Sequence, residues 1–216
     1  MKLVTLSVGL PQDVAWHGGI TRTGIFKQPV EGRLALRKLN LDGDQQADLT
    51  VHGGEFKAVY CYPVEHYDYW KKEMSWRAFP TAIFGENFTT EGFHENTIHI
   101  GDRFSIGSAE VVVTQPRMPC YKLGIRFEWD GMVKEFLDSR RTGFYLAVTC
   151  EGEVGAGDEF REIARDPNEV SIADITRLYV AKHFIKADAG LVERAMRVKS
   201  FPESWKDYLR KKLGNG

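Results

Sequence analysis

Three cysteines in 216 residues, at positions 61, 120 and 150, are too few to hold an iron–sulfur cluster through four thiolates, and their odd number and wide spacing make no disulfide framework. C-x-x-C is absent, as are G-x-S-x-G, the Walker A loop and H-E-x-x-H, so thioredoxin-like, serine hydrolase, P-loop and zincin chemistry lose their best support. No window approaches the roughly 20 apolar residues of a membrane-spanning helix. The start, residues 1–9, is too short and too often polar for a signal segment. A cytoplasmic protein without a membrane partner is expected. An excess of charge of one sign is also lacking. The 29 Lys and Arg against 30 Asp and Glu give a formal −1, so overall charge provides no drive toward nucleic acid, which is not expected as a partner.

Acid is missing locally as well. Between Val111 and Phe127 there is no Asp or Glu, while Arg117, Lys122 and Arg126 are cationic, and Cys120 lies among them in Gln115-Pro116-Arg117-Met118-Pro119-Cys120-Tyr121-Lys122-Leu123. Pro116 and Pro119 lack an N–H and fix φ, so the strand-like run at 111–114 is expected to leave its sheet there as a stiff connection. Electropositive surroundings favour the thiolate, which is both the nucleophile and the metal ligand. The same segment also fits a half-buried structural cysteine in a rigid loop. Cys61 and Cys150 fall in or at the end of strand-like runs and read as core or strand-edge thiols. Residues 16–30 are again acid-free and glycine-rich, with Arg22 and Lys27 as cations. They are expected to form a loop that offers N–H groups and charge to a phosphate, although an ordinary surface loop has the same composition. His52-Gly53-Gly54 with Lys57 stands at the entrance to the apolar run 58–62, where glycines let a ligand approach the backbone.

Period-two patterns predict strands around Val4, Leu6 and Val8, at 33–36 and 38–41, at 111–114 and at 144–148, with a hairpin over 97–106 turning at Gly101-Asp102. Val64, Tyr67, Trp70 and Met74 predict one helix opened by Pro63; Met132, Val133, Phe136 and Leu137 predict a second, short one; residues 152–157 read as a glycine-rich return. Many short strands with few helices point to a mainly β, α+β chain built on a β-barrel or sandwich. After Asp166-Pro167-Asn168 the pattern turns helical: Ser171 caps a helix reaching Val180, Asp188 one reaching about Met196, and Ser200 with Pro202 opens a third carrying Trp205, Tyr208 and Leu209. The expected division is a barrel domain over residues 1–166 and a three-helix appendage over 167–216. The basic tip of the appendage (Lys206, Arg210, Lys211, Lys212) reads as a solvated face.

Several stretches in order along the chain resemble the MOSC proteins, and within them the YiiM type. They are Thr23-Gly24-Ile25-Phe26-Lys27-Gln28-Pro29-Val30, Leu41-Asp42-Gly43-Asp44-Gln45-Gln46-Ala47-Asp48, Val51-His52-Gly53-Gly54 with Lys57-Ala58-Val59, Phe84-Gly85-Glu86-Asn87, Ile100-Gly101-Asp102, the segment around Cys120, and Arg141-Thr142-Gly143-Phe144-Tyr145. The resemblance implies a MOSC-type β-barrel that binds molybdenum cofactor, a molybdopterin carrying one molybdenum, with Cys120 as metal ligand and catalytic residue. It implies reduction of N-hydroxylated compounds such as 6-N-hydroxylaminopurine. The cofactor is an anion, so Lys27, His52, Lys57, Arg117, Lys122 and Arg141, with the Thr23 hydroxyl, are its candidate partners, and Asn87 a candidate hydrogen bond to the pterin. Larger amidoxime-reducing relatives add an N-terminal domain or an iron–sulfur module that this sequence does not contain. With no dinucleotide fingerprint either, electrons are expected from a separate reductase. Two other readings keep the same residues: Cys120 as a persulfide sulfur carrier, or a non-catalytic carrier of the cofactor. The three helices after Ser171 resemble the C-terminal three-helix extension of the YiiM type and contain no element of the cofactor-binding pattern, so they are expected to cover or dock a partner and not to be catalytic.

Overall fold

The computed structural model of the protein describes residues 1–48 and 52–214. Its strands are β1 (Lys2–Val8), β2 (Gln12–Trp16), β3 (Gly19–Thr23), β4 (Gln28–Val30), β5 (Arg33–Leu36), β6 (Val59–Pro63), β7 (Phe88–Glu91), β8 (Arg103–Ile106), β9 (Ala109–Pro116), β10 (Phe144–Cys150), β11 (Gly152–Gly155) and β12 (Arg161–Ala164). The helices are α1 (Glu65–Glu73), α2 (Tyr121–Phe127), α3 (Met132–Ser139), α4 (Ile172–Val180), α5 (Lys186–Arg197) and α6 (Glu203–Gly214). Eight strands, in the order β12-β8-β9-β10-β6-β7-β1-β4, form one sheet curled into a half-barrel. Its neighbouring strands run antiparallel except for the parallel pair β6 and β7. The expected mainly β, α+β architecture is present, and no helix among the described residues is long and apolar enough to cross a membrane.

Several local expectations are corrected. Within residues 16–30, Gly19–Thr23 is a strand that pairs with β2 across His17 and Gly18. Both turn residues have positive φ (48° and 77°), which a tight two-residue hairpin turn of matching twist requires. The run 38–41 is no strand, because Arg37 N–H turns back to the Asn40 carbonyl and only Leu41 returns to bridge Leu36. Residues 97–106 make no hairpin either. The buried Asp102 carboxylate accepts His99 N–H and Asp166 N–H, pinning a loop, and the hairpin is β8 to β9 instead. The glycine-rich return contains β11, paired with β5; a Cβ at Gly152 would lie 2.5 Å from the Ser108 backbone, so that glycine serves close packing. Strand β9 runs two residues beyond Thr114, to Pro116, and the chain leaves the sheet at Arg117. The α2 helix that follows has no counterpart in the sequence reading.

The apolar faces of the half-barrel and of the C-terminal helices belong to one buried cluster, in which Leu6, Val111, Val113 and Phe144 meet Ile172, Ile175, Leu178, Val192 and Phe201. Burying one such side chain is worth about 1.5–3 kcal/mol. Five of them from the C-terminal helices and their connections thus approach the whole ~5–15 kcal/mol stability of a typical domain. A second cluster, aromatic and centred on Tyr62, Trp70, Phe84, Phe127 and Phe136, joins α1, α2 and α3 over the other side of β6. At the edge of this second cluster, Tyr60 and Tyr145 of neighbouring strands pack together beside the end of β9.

Candidate functional site

The site grows from the end of β9. Gln115 donates from Nε2 to the Phe56 carbonyl (3.2 Å), and Thr114 Oγ1 donates to the same oxygen (2.7 Å), so β9 fastens the short turn Glu55–Lys57 that presents Lys57. Arg117 N–H donates to the Gly143 carbonyl (3.2 Å), and its side chain turns inward, only 6% exposed. The guanidinium lies 5.1 Å from the Tyr60 ring centre and 5.0 Å from that of Phe136, a cation held by π faces. Its Nη1 is buried and has no hydrogen-bond partner among the described residues. Cys120, half-buried and with extended backbone (φ −127°, ψ 172°), immediately precedes α2, whose first turn carries Lys122.

His52 completes this group. Its Nε2 lies 3.3 Å from Cys120 Sγ, while Nδ1 is buried with no partner among the described residues. Burial, and then the charges of Lys122 and Lys57, hold the His52 pKa below its ordinary value. The ring is therefore neutral at pH 7, with one N–H and one acceptor nitrogen. Burial likewise lowers the pKa of Lys57.

A hollow of about 590 Å³ opens beside these residues, lined among others by Thr23, Lys27, His52, Lys57, Arg117 and Lys122; among the described residues Asp44 is the single carboxylate in its lining. An adjoining hollow of about 560 Å³ shares His52, Lys57 and Tyr145 and adds Cys120, Pro119, Met118 and Trp205. The backbone itself makes the far wall. A Cβ at Gly24 would lie 2.5 Å from the Gln45 carbonyl oxygen, so only glycine lets the two segments meet.

Of the residues singled out from sequence, Thr23, Lys27, His52, Lys57, Asn87, Arg117 and Lys122 line the first hollow and Cys120 the second. Thr23, Lys27 and Asn87 are among those held by partners within the protein. Thr23 Oγ1 accepts Ile25 N–H (3.2 Å). The buried Lys27 ammonium pairs with Asp44, and burial lowers its pKa against that attraction. The Asn87 amide accepts Tyr60 N–H and donates to Ser7 O and to Asp44 (3.2, 3.3 and 3.0 Å), so its hydrogen-bonding capacity is used in the floor of the hollow. Arg141 lines neither hollow: its guanidinium lies 3.9 Å from the Tyr69 ring centre and donates to the Ser139 carbonyl (3.1 Å). Sequence reasoning missed Asp44, Tyr60, Tyr145 and Trp205. For Tyr145 a signal existed, since its neighbour Phe144 faces the core and the next residue of a strand faces the other way.

The donor set suits an anionic group that carries its own metal ligands. Among the described residues no three or more His, Cys, Asp or Glu side chains cluster as a metal cage, yet one thiol stands beside a cationic hollow with two buried nitrogens left unpaired. A metal already held by a dithiolene needs only one further soft ligand from the protein.

The MOSC domain model matches residues 48–161. YflK of Bacillus subtilis is 36% identical over 98% of this chain and 94% of its own length, and YiiM of Escherichia coli 33% identical over 90% and 86%. A protein of Gibberella moniliformis named as a reductase is 28% identical over 77% of this chain, which spans 30% of that protein. The crystal structure of YiiM from Geobacillus stearothermophilus superposes with a TM-score of 0.80 at 29% identity, covering 98% of both chains.

Proposed function

Because the chain belongs to the MOSC domain family and is of the YiiM type, we propose that it is a molybdenum-cofactor-dependent oxidoreductase that reduces N-hydroxylated compounds, with Cys120 as the protein's ligand to the metal. Family membership by itself supports a molybdenum-cofactor-related function. The observation that carries the finer reading is the Cys120 thiol beside a hollow lined by Arg117 and His52, each of which has a buried nitrogen, Nη1 and Nδ1, without a partner among the described residues.

When bound, the cofactor supplies two-electron redox chemistry at a thiolate-ligated metal. Reduction of an N–OH group takes two electrons and two protons, breaks the N–O bond and yields an N–H group and water. Cys120 contributes the soft ligand. Lys57, Lys122 and Arg117 contribute positive charge toward the phosphate and pterin, Arg117 through a nitrogen already stripped of water. His52, neutral at pH 7, holds a proton at one ring nitrogen beside the sulfur and can pass it on as charge changes there. Lys27, Asp44 and Asn87 hold the floor. Electrons come from a separate reductase in this reading, and the enzyme works in the cytoplasm.

Expression in a host that makes the cofactor, followed by elemental and pterin analysis, tests the proposal. The expected result is about one molybdenum per chain by the single-thiol argument, with turnover of 6-N-hydroxylaminopurine driven by a reduced dye and not by NADH alone. Folded protein free of both metal and pterin would defeat it. The His52 contact also suits an activated thiol, so a metal-free protein carrying a persulfide on Cys120 would instead favour sulfur transfer.

A further inference from the structure

The C-terminal helices reach the site. Trp205, near the start of α6, donates from Nε1 to Gln115 Oε1 (2.7 Å), across 90 positions of sequence. Gln115 is 3% exposed and is itself tied to the Phe56 carbonyl, so the indole is anchored to the strand end that leads to Cys120 and, through Phe56, to the turn carrying Lys57. Phe201, Tyr179 and Tyr208 surround it, with ring centres 6.0, 5.7 and 5.9 Å away. The indole is half-buried and lines the same hollow as Cys120. A rigid, half-exposed aromatic ring, fixed by its only donor and backed by other rings, is more than a core filler needs.

The two hollows differ in chemistry. The one lined by Lys27, Arg117 and Lys122 is cationic and suits the phosphate-bearing cofactor; the one lined by Cys120 shares His52 and Lys57 with it and adds Pro116, Met118, Pro119 and Trp205. Apolar and aromatic walls select flat π systems, which gain from stacking and sulfur contact whatever their hydrogen-bonding pattern. We propose that Trp205 is a substrate-positioning residue, the stacking wall that selects flat heteroaromatic N-hydroxylated substrates and aims their N–OH group at the Cys120 side of the hollow. This rests on the oxidoreductase reading above. It gives the C-terminal helices a part in recognition that the sequence did not reveal.

The test uses the cofactor-loaded protein, with Trp205→Leu to remove the ring and Trp205→Phe to restore one. Base stacking on an aromatic side chain corresponds to roughly 5- to 100-fold in affinity. Trp205→Leu is therefore expected to raise KM for 6-N-hydroxylaminopurine at least about fivefold more than KM for the non-aromatic acetamidoxime, with Trp205→Phe recovering most of the difference. An equal change for both substrates, in protein whose circular dichroism and melting match the wild type, overturns the proposal.

A second readout needs no turnover. Adenine, the reduced form of the substrate, should quench intrinsic fluorescence in the wild type and lose that quenching in Trp205→Phe. Undiminished quenching in Trp205→Phe overturns the assignment, and this arm decides even where Trp205→Leu does not fold. Absence of molybdenum sinks the chemistry proposed above, while the adenine titration still reports on Trp205 by itself.

Discussion

Lys27 and Arg117 are both buried cations on one hollow, and they are treated in opposite ways. Lys27 is matched by Asp44, which also receives Gly9 N–H and the Asn87 amide, so the floor is satisfied from within the chain. Arg117 has aromatic faces around it, no carboxylate partner in any hydrogen bond or ion pair among the described residues, and one nitrogen without a partner. A buried unpaired charge costs several kcal/mol. The floor is therefore built for stability, and the wall of Arg117, His52 and Cys120 carries unmet demand that an anionic ligand can meet.

The comparison breaks first at Cys120. A serine hydroxyl is harder and far less acidic than a thiolate, and removing even the outer partners of a metal ligand costs about 10–100-fold. Cys120→Ser is expected to lower turnover ~100-fold or more, with a smaller fall in pterin content, because the cationic hollow remains. Cys61→Ser, in the apolar core, and Cys150→Ser, at the exposed end of β10, serve as controls read as activity per folded molecule. If Cys120→Ser matches them, the thiol is not the ligand.

Next come the two cations. Lys27→Met leaves Asp44 buried without its counter-charge and should cost about 3–5 kcal/mol in denaturant unfolding. Arg117→Leu removes a buried charge that has no such partner, so the metal-free protein should unfold within about 1 kcal/mol of wild type or be more stable, while pterin content drops. Equal destabilisation by both would show that Arg117 is structural in the same sense as Lys27.

How far the site could be read from sequence follows the same division. Local signals were legible. Ser171 caps α4 in a reciprocal pair with Asp174, as its position before an apolar run implies, and Tyr67, Trp70 and Met74 bury one face of α1 and its end. The acid-free surroundings of Cys120 pointed to its cationic neighbours. Helix α2 escaped notice because its capping position is a cysteine, not Ser, Thr, Asp or Asn, and because it spans seven residues just after Pro119. Lys27 and Asn87 have the chemistry of ligand-binding residues, and only the fold shows that Asp44 engages both. Arg141 lies in a stretch shared with the family, yet the turn before β10 carries it over Tyr69. The place of Trp205 depends on the tertiary contact with Gln115 and left no local trace. The helices' share in the core also argues against a dispensable appendage, so a cut near Asp166, which removes Ile172, Ile175 and Leu178, should uncover their half-barrel partners such as Leu6, Val111 and Val113 and leave little folded protein to assay.

The smallest effect sharpens the same contrast with acids. Burial pushes the Glu95 pKa up, but the hydrogen bond and charge of His66, with Gly143 N–H, more than offset it, and the net shift is downward. Glu86 accepts from Tyr67 and from Thr89 (3.2 Å), yet its Oε2 has no partner among the described residues, and burial leaves its pKa raised. The signs are opposite. A carboxyl whose folded pKa is depressed binds fewer protons in the native state, so Glu95 adds stability above its ordinary range that is lost as pH falls through the folded value. A carboxyl whose folded pKa is raised adds stability below its ordinary range that is lost as pH rises through the folded value. Glu95→Gln should therefore lose about 1–3 kcal/mol at pH 7, and the loss should shrink toward acid pH. Glu86→Gln should match wild type in acid and gain on it as pH rises. Unfolding curves from pH 4 to pH 8 for both variants decide the matter, and two parallel profiles would mean that the satisfied and the unsatisfied carboxyl are not physically distinct.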